Sequence, residues 1–234
     1  MFKNRKMKSR WIAHIDLLGF SQLTKEKGNK LIREYLEILD ETKNDLALKR
    51  RRPKPQRLVS FTHFSDSFLF YSSSGSIEAF SQVEGAARRF FDKMLLKRYP
   101  LQGAISYGGL YTSKKEGIFL GDAFVDAVKY CNNQNWLGLV YTPSTVEQVQ
   151  TYGVPLFKKD SQWFRKVDVP MRKGEPENLF VYAINKMDTL LPAIERMKRE
   201  VESKLKVQDQ PDKRKALERV LEKYDNTLGF IRGT

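Results

Sequence analysis

Apart from His14 and Asp16, apolar residues run unbroken from Trp11 to Leu18 in the stretch WIAHIDLLGFS, and the run stops at Gly19. Such a pattern predicts a strand entering a glycine turn. Over 29–49 the spacing becomes helical, through Leu31, Ile32, Tyr35, Leu36, Leu39, Leu46 and Leu48. The β-branched and aromatic segments 57–64 (RLVSFTHF) and 67–73 (SFLFYSS) are separated only by Ser65 and Asp66, which predicts a tight hairpin with Asp66 at its tip. A helix is predicted over 76–98, with Ile77, Phe80, Val83, Ala87, Phe90, Phe91, Met94 and Leu95 as one apolar stripe. The segments 101–111 (LQGAISYGGLY) and 117–120 (GIFL) predict a second hairpin, and 122–132 a short helix. Strands are expected at 136–141 and 178–185, with a helix over 143–151 between them. Helical periodicity over 188–207 and 213–228 is interrupted by DQPD.

That order predicts an α+β sandwich in which helices cover a mixed sheet, followed by a helical tail. The expected division is a domain at 9–186 and a helical extension at 187–234. In the extension Leu190, Leu191, Ile194, Met197 and Val201 form a stripe whose simplest use is packing on its own domain.

Composition narrows the class. A chain of 234 residues with 41 % hydrophobic and 12 % aromatic residues can bury a substantial core and is no disordered segment. No apolar run approaches the ~20 residues that cross a bilayer, so a soluble protein without a membrane span is expected. The basic start MFKNRKMKSR leads into a segment interrupted by His14 and Asp16 and lacks a small-residue cleavage site, so no signal peptide is expected. The single cysteine, Cys131, excludes a disulfide framework, fits a reducing compartment and points to a cytoplasmic protein. A net charge of +14 favours polyanionic partners: nucleic acid, a membrane surface or nucleotide phosphates. Much of that charge sits in KRRRPKPQR at 49–57, where two prolines argue for an exposed connection.

The candidate chemistry lies in Asp16 and Asp66. A sheet of this order can bring the end of the first strand beside the hairpin tip. Two carboxylates ~4 Å apart repel by about 4 kcal/mol at an effective dielectric near 20, so a cation must hold them. With backbone carbonyl help they form an oxygen site suited to magnesium or manganese, ions that in turn favour phosphates. Read singly, each aspartate is most simply a cap on its own turn.

Taken together, IDLLGFS, the SDS hairpin tip, GAISYG and the glycine opening a helix at LGDAF resemble the catalytic domain of the class III nucleotidyl cyclases. Within that superfamily LLGF, FSDS and GAISYGG are most similar to the bacterial pyrimidine cyclases of Pycsar antiphage defence. The resemblance covers roughly 11–186 and implies a class III fold with a ferredoxin-like βαββαβ core. It implies a nucleoside triphosphate substrate, UTP before CTP, cyclised with release of pyrophosphate. The cyclic product would be a second messenger for a downstream effector. Two metal ions, magnesium or manganese, would sit on Asp16, the Leu17 carbonyl and Asp66, and backbone from Leu17 and Leu18 through Gly19 to Phe20 would cradle the phosphates. Class III sites form between two subunits, so a homodimer is implied.

Carried over residue by residue, the resemblance is uneven. The purine-recognising lysine falls on Thr62 and its partner on Ile118, which disfavours ATP and GTP and makes Thr62 a candidate base contact. The transition-state asparagine and arginine fall on Val125 and Lys129. Lys129 can replace the arginine's charge but not its bidentate fork. The arginine that often opens the fourth strand is replaced by Gln102, removing an expected phosphate contact. MRKGEPENLFVYAI resembles the family's lysine loop, with Lys173 and its neighbour Arg172 as phosphate ligands, and the resemblance assigns the charge developing in catalysis to Lys129 and Lys173. Strand alternation turns His63 away from Thr62, so His63 reads as structural. Two other readings compete: an inactive cyclase-like nucleotide sensor, supported by Gln102 and Val125, and a basic nucleic-acid binder, disfavoured because an acidic pair repels a phosphate backbone.

Overall fold

A computed structural model describes residues 6–48, 58–113, 115–157, 161, 163–182 and 187–233. The basic run at 49–57 and the end of the predicted strand 178–185 lie outside the described residues. In chain order the elements are β1 (Lys8–Leu17), α1 (Phe20–Leu48), β2 (Val59–Phe64), β3 (Ser67–Ser72), α2 (Ile77–Leu96), β4 (Leu101–Ser113), β5 (Ile118–Leu120), α3 (Asp122–Asn133), β6 (Leu139–Tyr141), α4 (Pro143–Thr151), β7 (Phe164–Val169), β8 (Glu177–Tyr182), α5 (Met187–Lys206) and α6 (Pro211–Arg232).

The strands lie in the order β2-β3-β1-β4-β6-β8-β7, with β5 added to β4. The sheet is mixed, since β4 and β6 run parallel while the other neighbouring pairs are antiparallel. β1 is nearly continuously apolar because both of its faces are covered. Trp11, Ala13, Ile15 and Leu17 face the main core, built with Leu31 and Ile38 of α1 and Phe80 and Phe90 of α2. Ile12 joins a smaller cluster with Leu69, Tyr71, Leu110 and two alanines of α3, Ala123 and Ala127. His14 and Asp16 follow Ile12 on that second face.

Three departures from the expected elements have local causes. The first helix starts at Phe20, not 29, because Gly19 takes a left-handed φ of 71° and its carbonyl accepts the N–H groups of Gln22 and Leu23. The stretch 21–28 is too polar to show a helical stripe, and the chain kinks at Gly28. The strand β7 was not expected. Its sequence FRKVDV sits at the sheet edge, paired only to β8, where charged side chains are tolerated. The strand expected at 136–141 shortens to β6, since Trp136 and Leu137 are buried in the connection before it.

The tail helices share the main core: Leu190, Ile194 and Met197 of α5 and Tyr224, Leu228 and Ile231 of α6 belong to the same cluster as β1 and α2. α6 also docks through polar groups. Its Thr227 hydroxyl accepts the Leu137 N–H at 2.8 Å, and the Asn226 amide donates to the Asn135 carbonyl at 2.7 Å.

Candidate active site

The two aspartates are brought together by strand pairing. Asp16 lies opposite Ser67 of β3 on one side and Gln102 of β4 on the other, which makes a row Phe64, Ser67, Asp16, Gln102 across the sheet. The β2–β3 turn is the expected two-residue Ser65-Asp66. The Leu17 N–H donates to the Asp66 carbonyl at 2.9 Å, tying the hairpin tip to the end of β1. Asp16 and Asp66 are both half-buried.

The electrostatics follow from this placement. The Asp16 carboxyl is pushed up to about 6, first by burial and then by the Asp66 charge; Arg172, Lys223 and a hydrogen bond from the Gln102 side chain pull the other way. Burial holds the neighbouring His14 imidazole down to about 4 and hence neutral at pH 7, with Asp66 acting weakly against it. The site thus sets two carboxylates near enough to act on each other, with Arg172 and Lys223 opposing the effect on Asp16. Among the described residues no group of three or more His, Cys, Asp or Glu side chains converges. Two carboxylates with backbone oxygen form a donor set suited to magnesium or manganese, which take one or two carboxylates and complete their shell with water and phosphate oxygens.

Beyond Asp16 the chain turns at Gly19 into α1. The Leu17 and Leu18 amides are already engaged, the first on the Asp66 carbonyl and the second on the Pro100 carbonyl at 2.9 Å. Neither N–H can therefore donate to a phosphate, and that part of the expected cradle falls to the next amides. Gly19 and Phe20 stand at a helix start whose leading N–H groups precede the first intrahelical bonds, those of Gln22 and Leu23 to the Gly19 carbonyl, and that turn carries no acidic side chain to compete with an anion.

The other candidates separate into those near the pair and those remote from it within one chain. Thr62 pairs with Leu69, which pairs with His14, so Thr62 sits on the Asp16 face but two strands away, about 10 Å across the sheet. His63 lies on the opposite face, stacked on Phe61 at 5.8 Å between ring centres. Lys129 and Val125 are exposed one turn apart on α3, Val125 at 63 %. Lys129 lies over the Tyr130 ring. Of the neighbours in the MRKGE loop, Arg172 is the cation that acts most on Asp16; its backbone N–H is pinned to the Asn133 carbonyl at 2.6 Å. Lys173 is exposed beside Gly174.

Gln102 is not a vacant arginine position. It is 1 % exposed, and it bridges Asp16 to Lys223 of α6. Sequence reasoning missed Lys223. The signal available was a polar triplet, Lys223, Asn226 and Thr227, at i, i+3 and i+4 of an otherwise ordinary amphipathic helix.

Solved structures share this fold. The catalytic core of a rhodopsin-guanylyl cyclase with converted specificity, in complex with ATPαS, superposes with a TM-score of 0.53 at 12 % identity, covering 76 % of this chain and 97 % of that one. An adenylate/guanylate cyclase/hydrolase from Silicibacter pomeroyi gives a TM-score of 0.50 at 12 % identity, covering 76 % of this chain and 98 % of that one. The fold is that of the class III nucleotidyl cyclases. No family model matches the sequence, and no curated protein matches it.

Proposed function

We propose that the protein is a class III nucleotidyl cyclase that converts a pyrimidine nucleoside triphosphate, UTP before CTP, to the 3′,5′-cyclic nucleotide and pyrophosphate. The observation that carries the reading is the Leu17 N–H to Asp66 carbonyl bond, which ties the hairpin tip to the end of β1 so that the Asp66 charge adds to the burial that raises the Asp16 carboxyl. The likeness to cyclase structures supports the same reading through the fold.

In this mechanism Asp16, Asp66 and the Leu17 carbonyl would hold the divalent ions, which when bound would supply Lewis acidity toward the ribose 3′-hydroxyl and neutralise the triphosphate. The residues' own work is orientation. Gly19 and Phe20 present backbone N–H groups to phosphate oxygens, and the left-handed Gly19 keeps side-chain bulk away from them. Arg172 adds positive charge beside the α-phosphate, where charge builds as the 3′-oxygen attacks and pyrophosphate leaves. Lys173 is placed to meet the outer phosphates from the same loop. Lys129, facing out of α3, would meet the triphosphate held by a second copy, so the working unit is a homodimer. Thr62 in place of a lysine, and Ile118 in place of its partner, support a pyrimidine base over a purine. On the motif resemblance to the Pycsar cyclases, the product serves as a second messenger for an antiphage effector.

Incubation of the purified protein with each of the four ribonucleoside triphosphates and manganese should yield cyclic product and pyrophosphate from UTP most rapidly. Absence of product from all four, with manganese bound, would leave a cyclase-like nucleotide sensor. Asp66→Ala should lower turnover by at least about a hundredfold, since several kcal/mol of charge stabilisation leave with the metal. Retention of full activity would remove Asp66 from the site.

A further inference from the structure

We infer that Lys223, from the C-terminal helix α6, is a positioning residue for the metal site: it fixes the Gln102 amide so that this side chain steers the Asp16 carboxylate. The inference rests on the cyclase reading for its catalytic consequence, but its geometry stands on the chain alone.

Lys223 is 4 % exposed, an unusual place for a lysine. Its ammonium donates to the Gln102 Oε1 at 2.7 Å and to the Gln134 carbonyl at 2.9 Å. An ammonium has three donors and no acceptor. Only the oxygen end of the Gln102 amide can therefore face it, which removes the usual ambiguity in amide orientation. The NH₂ end then turns the other way, toward the carboxylate of Asp16, its cross-strand partner in the sheet. Gln102 cannot rotate without setting NH₂ against the ammonium. The chain from Lys223 through Gln102 to Asp16 thus has a single consistent polarity.

α6 is held in the register this needs. Asn226 and Thr227, one turn along the same face, bond the Asn135 carbonyl and the Leu137 N–H, and Phe230 meets Trp136 edge-on with ring centres 4.9 Å apart. The segment that receives them leads into β6, the parallel neighbour of β4 on which Gln102 lies. Burial lowers the Lys223 ammonium to about 7, with Arg172 adding to the effect and Cys131, Asp16 and Glu222 acting against it. Partners behind a metal ligand commonly contribute ten- to a hundredfold in affinity, and Lys223 would do so from outside the sheet.

The test measures Mn²⁺ binding by electron paramagnetic resonance and turnover of UTP, in the full-length wild type, Lys223→Met, Gln102→Met and the double variant. The expected result is Mn²⁺ affinity about tenfold weaker in each single variant, with the double variant no worse than either, because both cut one chain of contacts. Turnover should fall with it, and Lys223→Arg should restore part of both. As a readout independent of metal, the Gln102 side-chain NH₂ of the wild type should show slow exchange by NMR, lost in Lys223→Met. Should Lys223→Met fail to fold, Gln102→Met tests the same link from its other end. Unchanged Mn²⁺ affinity in a folded single variant, or additive losses in the double, overturns the inference while leaving the cyclase reading intact. Wild type that binds Mn²⁺ but turns over no nucleotide overturns the cyclase reading and leaves the positioning role to be judged by affinity and exchange. Wild type that binds no Mn²⁺ overturns both.

Discussion

Lys223 and Asp16 are two half-compensated charges that share one glutamine. Their pH behaviour differs in sign and window. Burial lowers the Lys223 ammonium from its ordinary 10.5 to about 7, so the folded chain binds that proton more weakly than the unfolded chain does. Between about pH 7 and 10.5 the unfolded state holds more protons, and stability rises with pH across that interval; below 7 the cost of the buried charge is fully present. The groups that face Lys223 are Arg172, Cys131, Asp16 and Glu222. Burial pushes the Cys131 thiol well up, and Asp16 changes charge near 6, so neither titrates between pH 7 and 9. Urea denaturation of metal-free protein should therefore show wild type gaining stability from pH 7 to 9 relative to Lys223→Met. Parallel curves would show that the lysine stays charged through another partner. At this scale the sequence made the two aspartates legible, because each sits in a short motif at a strand end. It could not show Lys223, whose partner Gln102 lies 121 positions away in the chain.

The elements around the site are set by a few backbone positions. Gly121 precedes α3 with φ at +128°, and a Cβ there would stand 2.1 Å from the Gly109 carbonyl oxygen. Gly121→Ala should cost on the order of 2 kcal/mol or more and lower the melting temperature by several degrees, because the contact is with backbone and the conformation is left-handed. A melting temperature within one or two degrees of wild type would show that the β5–α3 connection can shift away from β4 freely. The hairpin carrying Asp66 and the helix α3 were readable from two-residue spacing and helical periodicity. The start of α1 was not: its first turns, SQLTKEKG, face solvent on too many sides to show a stripe. The edge strand β7 escaped for a similar reason, since half of its side chains are polar and its register is fixed only by β8.

For the whole molecule, the tail is part of the core. Leu190 and Ile194 are fully buried among residues of β1 and α2. Leu190→Ala and Ile194→Ala should each destabilise by about 2–5 kcal/mol in chemical denaturation. Losses near zero would mean that α5 packs only loosely. Lys129 and Val125 face outward, on the side of α3 away from the sheet. If the site is shared between copies, an equal mixture of inactive Asp16→Asn and Lys129→Ala protomers should recover roughly a quarter of the wild-type sites, the share that a symmetric dimer provides after exchange. No recovery in mixed dimers would place the whole site within one chain.

The sequence by itself determined the α+β class, the order of its elements apart from β7, the hairpin that presents Asp66, the strand that carries Asp16 near its end and the glycine turn after it. These depend on periodicity and local backbone preference, which act over a few residues. The tertiary structure alone decided that the Leu17 and Leu18 amides are already engaged, that Arg172 rather than Lys173 approaches Asp16, and that a lysine from the last helix reaches Gln102. Those outcomes depend on which strands become neighbours and on where buried polar groups find partners, and both are set by packing between segments far apart in the chain.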